Sequence, residues 1–138
     1  MKIYIDGSAK GNPGPGMSIA LIEKYFTKFL DEDVILKKTF DNITNNQAEY
    51  NSLILALEYI DNVRRDLKEH KEKEITIITD SKLIVGQIND GWKVNKNRAL
   101  VLKAKKKINE LKKEFDIDLE WISREQNEAG LMIQHGEV

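Results

Sequence analysis

The chain has 138 residues, 41% of them hydrophobic and 33% charged, which is enough to bury one core without metal or disulfide support. Cysteine is absent, which excludes a disulfide framework, a thiolate nucleophile and a cysteine-based zinc site, and favours a cytoplasmic location. The net charge of −1 hides an asymmetry: nine basic residues from Lys93 to Lys113 face the single acid Glu110, so the remainder of the chain sums to −9.

Such a division suits a polyanion on the basic stretch and cations on carboxylates elsewhere, although a lysine-rich exterior is also the ordinary solvated face of a helix. No apolar run approaches the ~20 residues of a membrane span. The whole stretch 1–138 reads as one soluble domain, without membrane association and monomeric.

In chain order, Ile3-Tyr4-Ile5 is a short β-forming run that ends in Asp6. Gly7 to Gly16, with Pro13 and Pro15, reads as a tight loop with exposed backbone N–H groups. Asp6 is then either a metal ligand or a solvated turn residue. Met17–Phe26 and Val34–Phe40 are apolar, β-branched runs separated by the polar Leu30–Asp33, and with the first strand they predict an antiparallel meander.

Thr44-Asn45-Asn46-Gln47 is a helix start in which Thr44 and Gln47 can form a capping box, and the helix runs to about Ile60. Glu49 shares its face with the apolar Leu53, Ala56 and Ile60, so a carboxylate there needs a cation or donors to offset desolvation; otherwise it answers the helix dipole. Asn62 to Lys73 is charged and without apolar period, and is expected to finish that helix and cross the surface.

Glu74 to Asp80 repeats the opening pattern, a β-branched run closed by an acid, and Ser81 starts a helical segment through Ile88. Ligands in open α/β sheets sit outside the carboxyl ends of parallel strands, so parallel strands ending at Asp6 and Asp80 would set these acids side by side. Asp90–Lys93 is a turn. A long helix follows from about Asn97 to Phe115, with Val101, Ala104, Ile108, Leu111 and Phe115 as its buried stripe. Ile117–Ile122 alternates as a final strand with Trp121 in the core, and Ser123 to Val138 carries a weak helical signal.

Asp6, Glu49 and Asp80 together suit hard divalent cations. Clustered carboxylates raise one another's pKa unless a dication neutralises them, and oxygen ligands select Mg²⁺ or Mn²⁺. Two-metal phosphodiester hydrolysis is the chemistry that best fits such a set.

Asp6-Gly7-Ser8 with Gly11-Asn12-Pro13-Gly14-Pro15-Gly16, then Thr44-Asn45-Asn46-Gln47-Ala48-Glu49, then Thr79-Asp80-Ser81 resembles type 1 ribonuclease H, with the motifs in that family's order and spacing. The resemblance covers Lys2 to Arg124. It implies an α/β, ribonuclease H-like fold: a mixed five-stranded sheet, three antiparallel strands plus parallel ones, flanked by helices on both sides. It implies cleavage of the RNA strand of an RNA–DNA hybrid duplex with Mg²⁺ or Mn²⁺, leaving 5′-phosphate and 3′-hydroxyl ends.

By that likeness Asp6 would bridge two metals, and Glu49 and Asp80 would hold the one on the leaving-group side. Gly11, Asn12, Asn45 and Asn46 would contact the 2′-hydroxyls and base edges of the RNA strand. Thr44 would help hold a DNA phosphate, in competition with capping, and Trp92 and Lys93 would carry further contacts to the DNA strand. The short link from Gly91 to Asn97 leaves no room for the basic handle of some members and resembles the shorter archaeal and bacterial forms.

One departure stands at the C-terminus. The family's Arg-Glu-x-Asn-x-x-Ala-Asp, whose Asp is a fourth metal ligand, is here Arg124-Glu125-Gln126-Asn127-Glu128-Ala129-Gly130. Glu128 is the nearest substitute, or Glu125 if the loop shifts. His135 is either a mobile group that assists product release or an exposed tail residue. With Gly130 in place of the acid, the alternative to an active nuclease is a hybrid-binding module with impaired turnover, or a site that holds only one ion firmly.

Overall fold

The computed structural model describes residues 1–138, except for the side chain of Phe26. Its elements are β1 (Lys2–Ala9), β2 (Gly14–Ile22), β3 (Val34–Ile43), α1 (Asn45–Asn62), α2 (Arg64–Glu69), β4 (Glu74–Thr79), α3 (Lys82–Asn89), α4 (Arg98–Leu111), β5 (Asp116–Trp121) and α5 (Glu128–Gln134). The strands form one sheet in the order β3-β2-β1-β4-β5, antiparallel from β3 to β1 and parallel from β1 to β5. This is the mixed five-stranded sheet expected from the sequence.

Alternation along the central strands sorts the two faces. Ile3 and Ile5 of β1, Ile75 and Ile77 of β4, and Ile117 and Leu119 of β5 join Leu53, Leu57 and Ile60 of α1 and Val101, Ala104 and Ile108 of α4 in the larger core. Burying each large aliphatic side chain contributes about 1.5–3 kcal/mol. Ile19 and Leu21 point the other way and meet Ala129 of α5, with Tyr4, Met132 and Ile133 around them. Helix α5 thus closes the opposite face, over the strand that carries Asp6.

Five expectations need correction. The glycine-rich stretch is not all loop: β1 continues through Asp6, Gly7 and Ser8 to Ala9, pairing with Met17, Ser18 and Ile19 of β2, and β2 already begins at Gly14. Asp6 therefore lies inside a strand. Strand β2 stops at Ile22 rather than Phe26, because the Lys24 N–H donates to Asp33 Oδ1 (2.9 Å) and leaves the ladder.

The charged stretch after α1 contains its own short helix, α2. Leu67 anchors it, and the ion pairs Asp61–Arg64, Arg64–Glu114, Lys68–Glu114 and Lys107–Asp61 tie it to α1, α4 and the turn beyond α4. Helix α4 ends at Leu111 rather than Phe115; irregular turns follow, yet Phe115 is buried as the stripe requires. Trp121 is not in the core: 46% of it is exposed, for a reason found at the site. Among the described residues, no helix is long and apolar enough to cross a membrane.

Candidate active site

Parallel pairing of β1 with β4 aligns Lys2 with Thr76 and Tyr4 with Ile78, and the same offset carried forward sets Asp6 level with Asp80. Helix α1 lies directly on β1 because Gly7 lacks a side chain: a Cβ there would collide with the backbone of Ala48 and Glu49. Ser18, the cross-strand partner of Gly7, fastens this contact by donating its hydroxyl to the Ala48 carbonyl (2.6 Å). The capping box forms as predicted, with Gln47 N–H on Thr44 Oγ1 and Thr44 N–H on Gln47 Oε1, and it fixes the first turn that delivers Glu49.

The three acids converge. One carboxylate oxygen from each of Asp6, Glu49 and Asp80 lies within 4.8 Å of the others. Burial, then the charge of Asp80, pushes the Asp6 carboxyl up to about 6. Burial, then the charges of Asp6 and Asp80, raises Glu49 further, to about 9. The Gly7 N–H opposes the rise at Asp6, and Arg124 opposes it at both. Glu49 Oε2 is buried and has no hydrogen-bond partner. A buried carboxylate oxygen left unpaired beside two more carboxylates fits a hard divalent cation, which would repay the desolvation and the repulsion at once.

Around the acids lies an open cleft of about 670 Å³, to which Asn45, Asn46, Lys82, Arg124 and Gly130 also contribute. Gly130 stands where the fourth ligand was sought. A Cβ on it would come within 3.3 Å of Asp6 Oδ2 and 3.6 Å of Asp80 Oδ2. Glu128 does not join the cluster. It is exposed at the start of α5, and two residues of helix turn it some 200° from Gly130, so that its charge is felt instead at Tyr4 and Glu23. Glu125 is exposed in the turn before α5 and is not brought to the cluster either. His135 is exposed at the end of α5, 3.5 Å from Glu137, and does not line the cleft.

Two residues assigned no site role from the sequence hold Asp80. Asn127 is fully buried; its amide donates to the Ile5 carbonyl (2.9 Å) and to Asp80 Oδ2 (3.1 Å), while its Oδ1 accepts from Ala129 N–H and caps α5. The Trp121 indole N–H donates to the Asp80 carbonyl (3.1 Å), and Lys82 Nζ sits 5.0 Å from the centre of its ring. That bond draws the indole out of the core. The signal was present in the register, since Trp121 pairs with Thr79, the neighbour of Asp80.

The loop Lys10–Pro13 and the start of α1 are locked together through their asparagines. Asn45 Oδ1 accepts from Ala9 N–H (2.8 Å), and Asn12 Oδ1 accepts from Asn45 N–H (2.9 Å). Both carboxamide oxygens are thus occupied. Gly11 takes φ +81°, a left-handed conformation that suits glycine. Trp92, half exposed, and Lys93 lie in the link between α3 and α4, apart from the three acids.

Comparison with known proteins agrees with this fold. A profile of the family described as RNase H matches residues 1–129. The bifunctional protein Rv2228c of Mycobacterium tuberculosis is 32% identical over 133 residues, covering 92% of this chain and 33% of that protein. The chain therefore spans about a third of the length of this relative. Ribonuclease H of Wigglesworthia glossinidia brevipalpis is 31% identical, with 92% of this chain and 78% of the relative covered. Among solved structures, LC11-RNase H1 in complex with an RNA/DNA hybrid is 30% identical with a TM-score of 0.69, over 92% of this chain and 88% of that one. RNase H1 from the archaeon Halobacterium salinarum is 27% identical with a TM-score of 0.67, over 93% and 89%.

Proposed function

Because this chain belongs to the RNase H family, as a type 1 ribonuclease H, we propose that it cleaves the RNA strand of RNA–DNA hybrids endonucleolytically, with Mg²⁺ or Mn²⁺, leaving 5′-phosphate and 3′-hydroxyl ends. The convergence of Asp6, Glu49 and Asp80 within 4.8 Å, with a buried Glu49 oxygen lacking any partner, carries this reading. In keeping with it, residues 1–138 act as one catalytic domain, monomeric and cytoplasmic.

Bound divalent ions would supply water activation and stabilise the leaving oxygen. The chain's own residues prepare the rest. Asp6, Glu49 and Asp80 hold the ions; Asn127 and Trp121 keep Asp80 aimed inward. Lys82 and Arg124 give the cleft a positive rim that draws a phosphate toward the acids. With their oxygens used internally, Asn12 and Asn45 present N–H donors, which suits acceptors on the minor-groove side of the RNA strand. Gly11 and Asn46 flank them, Thr44 contributes beside a DNA phosphate, and Trp92 and Lys93 carry the uncleaved strand.

Gly130 favours one second reading. With no carboxylate at position 130 to face Asp6, the site holds one ion firmly and a second weakly, and the extreme of that state is a hybrid-binding module with little turnover. A cleavage assay on labelled hybrid, in Mg²⁺ and separately in Mn²⁺, decides between them, with Asp6→Asn as control. RNA products from the unaltered chain and none from the variant are expected; binding by both without product would establish the module instead.

A further inference from the structure

The link between α3 and α4 has no regular structure, yet it is held at two points. Trp92 N–H donates to the Gly86 carbonyl (3.1 Å), and the indole lies against Gly86 so closely that a Cβ there would collide with its ring atoms. One residue on, the Lys93 carbonyl accepts from Gln87 Nε2 (3.2 Å), and Gln87 Oε1 accepts from the Tyr50 hydroxyl (2.6 Å). Tyr50 and Gln87 are 1% and 5% exposed.

Folding alone does not require this chain of polar groups. Replacing both partners of a buried hydrogen bond by apolar groups of the same shape is often nearly neutral, so a phenylalanine and a leucine would close the gap between α1 and α3 as well. What the polar pair adds is a donor that reaches the Lys93 carbonyl. It also ties the link to α1, the helix that carries Glu49 one residue before Tyr50. The separation between the carboxylates and the Trp92–Lys93 segment is thereby set by one rigid element.

We propose that Tyr50, Gln87 and Gly86 are positioning residues that hold Trp92 and Lys93 as a preformed shelf for the uncleaved strand of the hybrid, at a fixed distance from the acids that act on the other strand. The inference rests on the function proposed above. Its geometry suits a duplex: a shelf fixed in advance accepts the second strand at one spacing only, and the ordering cost of a loose loop is avoided on binding.

The test uses Gln87→Leu, Tyr50→Phe and Gly86→Ala in the full chain. Gly86→Ala substitutes a better helix former and displaces only the half-exposed indole, so it keeps the fold while moving the shelf. In a Trp121→Phe background Trp92 is the sole tryptophan; acrylamide quenching of its fluorescence and amide exchange over residues 92–97 then report the shelf directly. Both are expected to rise in Gln87→Leu and Gly86→Ala.

Steady-state cleavage by the same substitutions in the otherwise unaltered chain should show KM for hybrid raised about three- to tenfold, as for a lost hydrogen bond, with kcat within about twofold. Affinity for hybrid in an Asp6→Asn background should fall in parallel. Unchanged quenching and exchange would show that these residues do not hold the segment; a loosened segment with unchanged KM and affinity would show that it is not a shelf. Either result overturns the inference while leaving cleavage by the unaltered chain intact, whereas failure of that chain to bind or cleave hybrid would instead remove the function on which it rests.

Discussion

Gly130 faces Asp6 across the carboxylate cluster, where a side chain would fit only tightly: a Cβ would stand 3.3 Å from Asp6 Oδ2 and 3.6 Å from Asp80 Oδ2. Gly130→Asp should therefore restore a fourth ligand. Calorimetric titration with Mn²⁺ is expected to show one firmly bound ion in the parent and two in the variant, with a faster cleavage rate. The 3.3 Å approach requires Asp6 to give by a few tenths of an ångström, which a metal-bound carboxylate can do. An unchanged second-ion affinity would count against the one-firm-ion reading.

Asp6→Asn and Asp80→Asn should each lower the cleavage rate by about 10³-fold, the scale of losing several kcal/mol of metal-supplied stabilisation. Hybrid binding measured by fluorescence anisotropy should change little by comparison, since the basic link and α4 are untouched.

The protonation of the cluster predicts how stability depends on pH once divalent ions are removed. The carboxyls of Asp6 and Glu49 are raised in the folded chain, to about 6 and about 9, above the ordinary values they regain on unfolding. The folded state thus holds more protons, and its stability falls as pH rises from the ordinary carboxylate range through these raised values. Thermal melts in chelator should show a declining Tm from about pH 5 to pH 9. Glu49→Gln should flatten the decline, and Mg²⁺ should oppose it by binding only the folded form.

Asn127→Leu removes the amide that joins the Ile5 carbonyl to Asp80 Oδ2 and the cap of α5. Loss of a cap and of two hydrogen bonds, one buried and one part-buried, should cost about 2–4 kcal/mol, read by urea denaturation. Asn127→Asp, which keeps a capping oxygen but adds a charge beside Asp80, should fold less well than wild type in chelator and recover part of the difference in Mg²⁺.

Asn12→Asp and Asn45→Asp separate locking from recognition. Each keeps an oxygen to accept the internal N–H (2.8–2.9 Å in the parent) and loses its donor. Stability within about 1 kcal/mol of the parent, with hybrid affinity reduced about tenfold, is the expected pair of results. Equal affinity would show that the amide donors do not meet the RNA strand.

The parts of this molecule that follow local rules were readable in advance. The period of α1, its capping box and the β-branched runs closed by Asp6 and Asp80 pointed to three acids gathered by one sheet, and that sheet is mixed and five-stranded as expected. What escaped was decided by contacts between distant residues. Three of the glycines that read as a loop lie in strands, because Gly7 pairs with β2 and must stay bare under α1 while Gly14 and Gly16 belong to β2 and pair with β3. Trp121 read as core from its alternation, yet the Asp80 carbonyl claims its N–H. Glu128 was the nearest acid in sequence, and the helical turn sends it to the far side of α5, toward Glu23.

Gly7 has a consequence for how this centre tolerates change. At that point main chain rests on main chain, so the offset between the strand bearing Asp6 and the helix bearing Glu49 is measured in peptide units rather than in side-chain volumes. Substitutions among the isoleucines and leucines beneath can therefore drift without retuning the carboxylates above them, and the chemistry is insulated from the wear of its own scaffold.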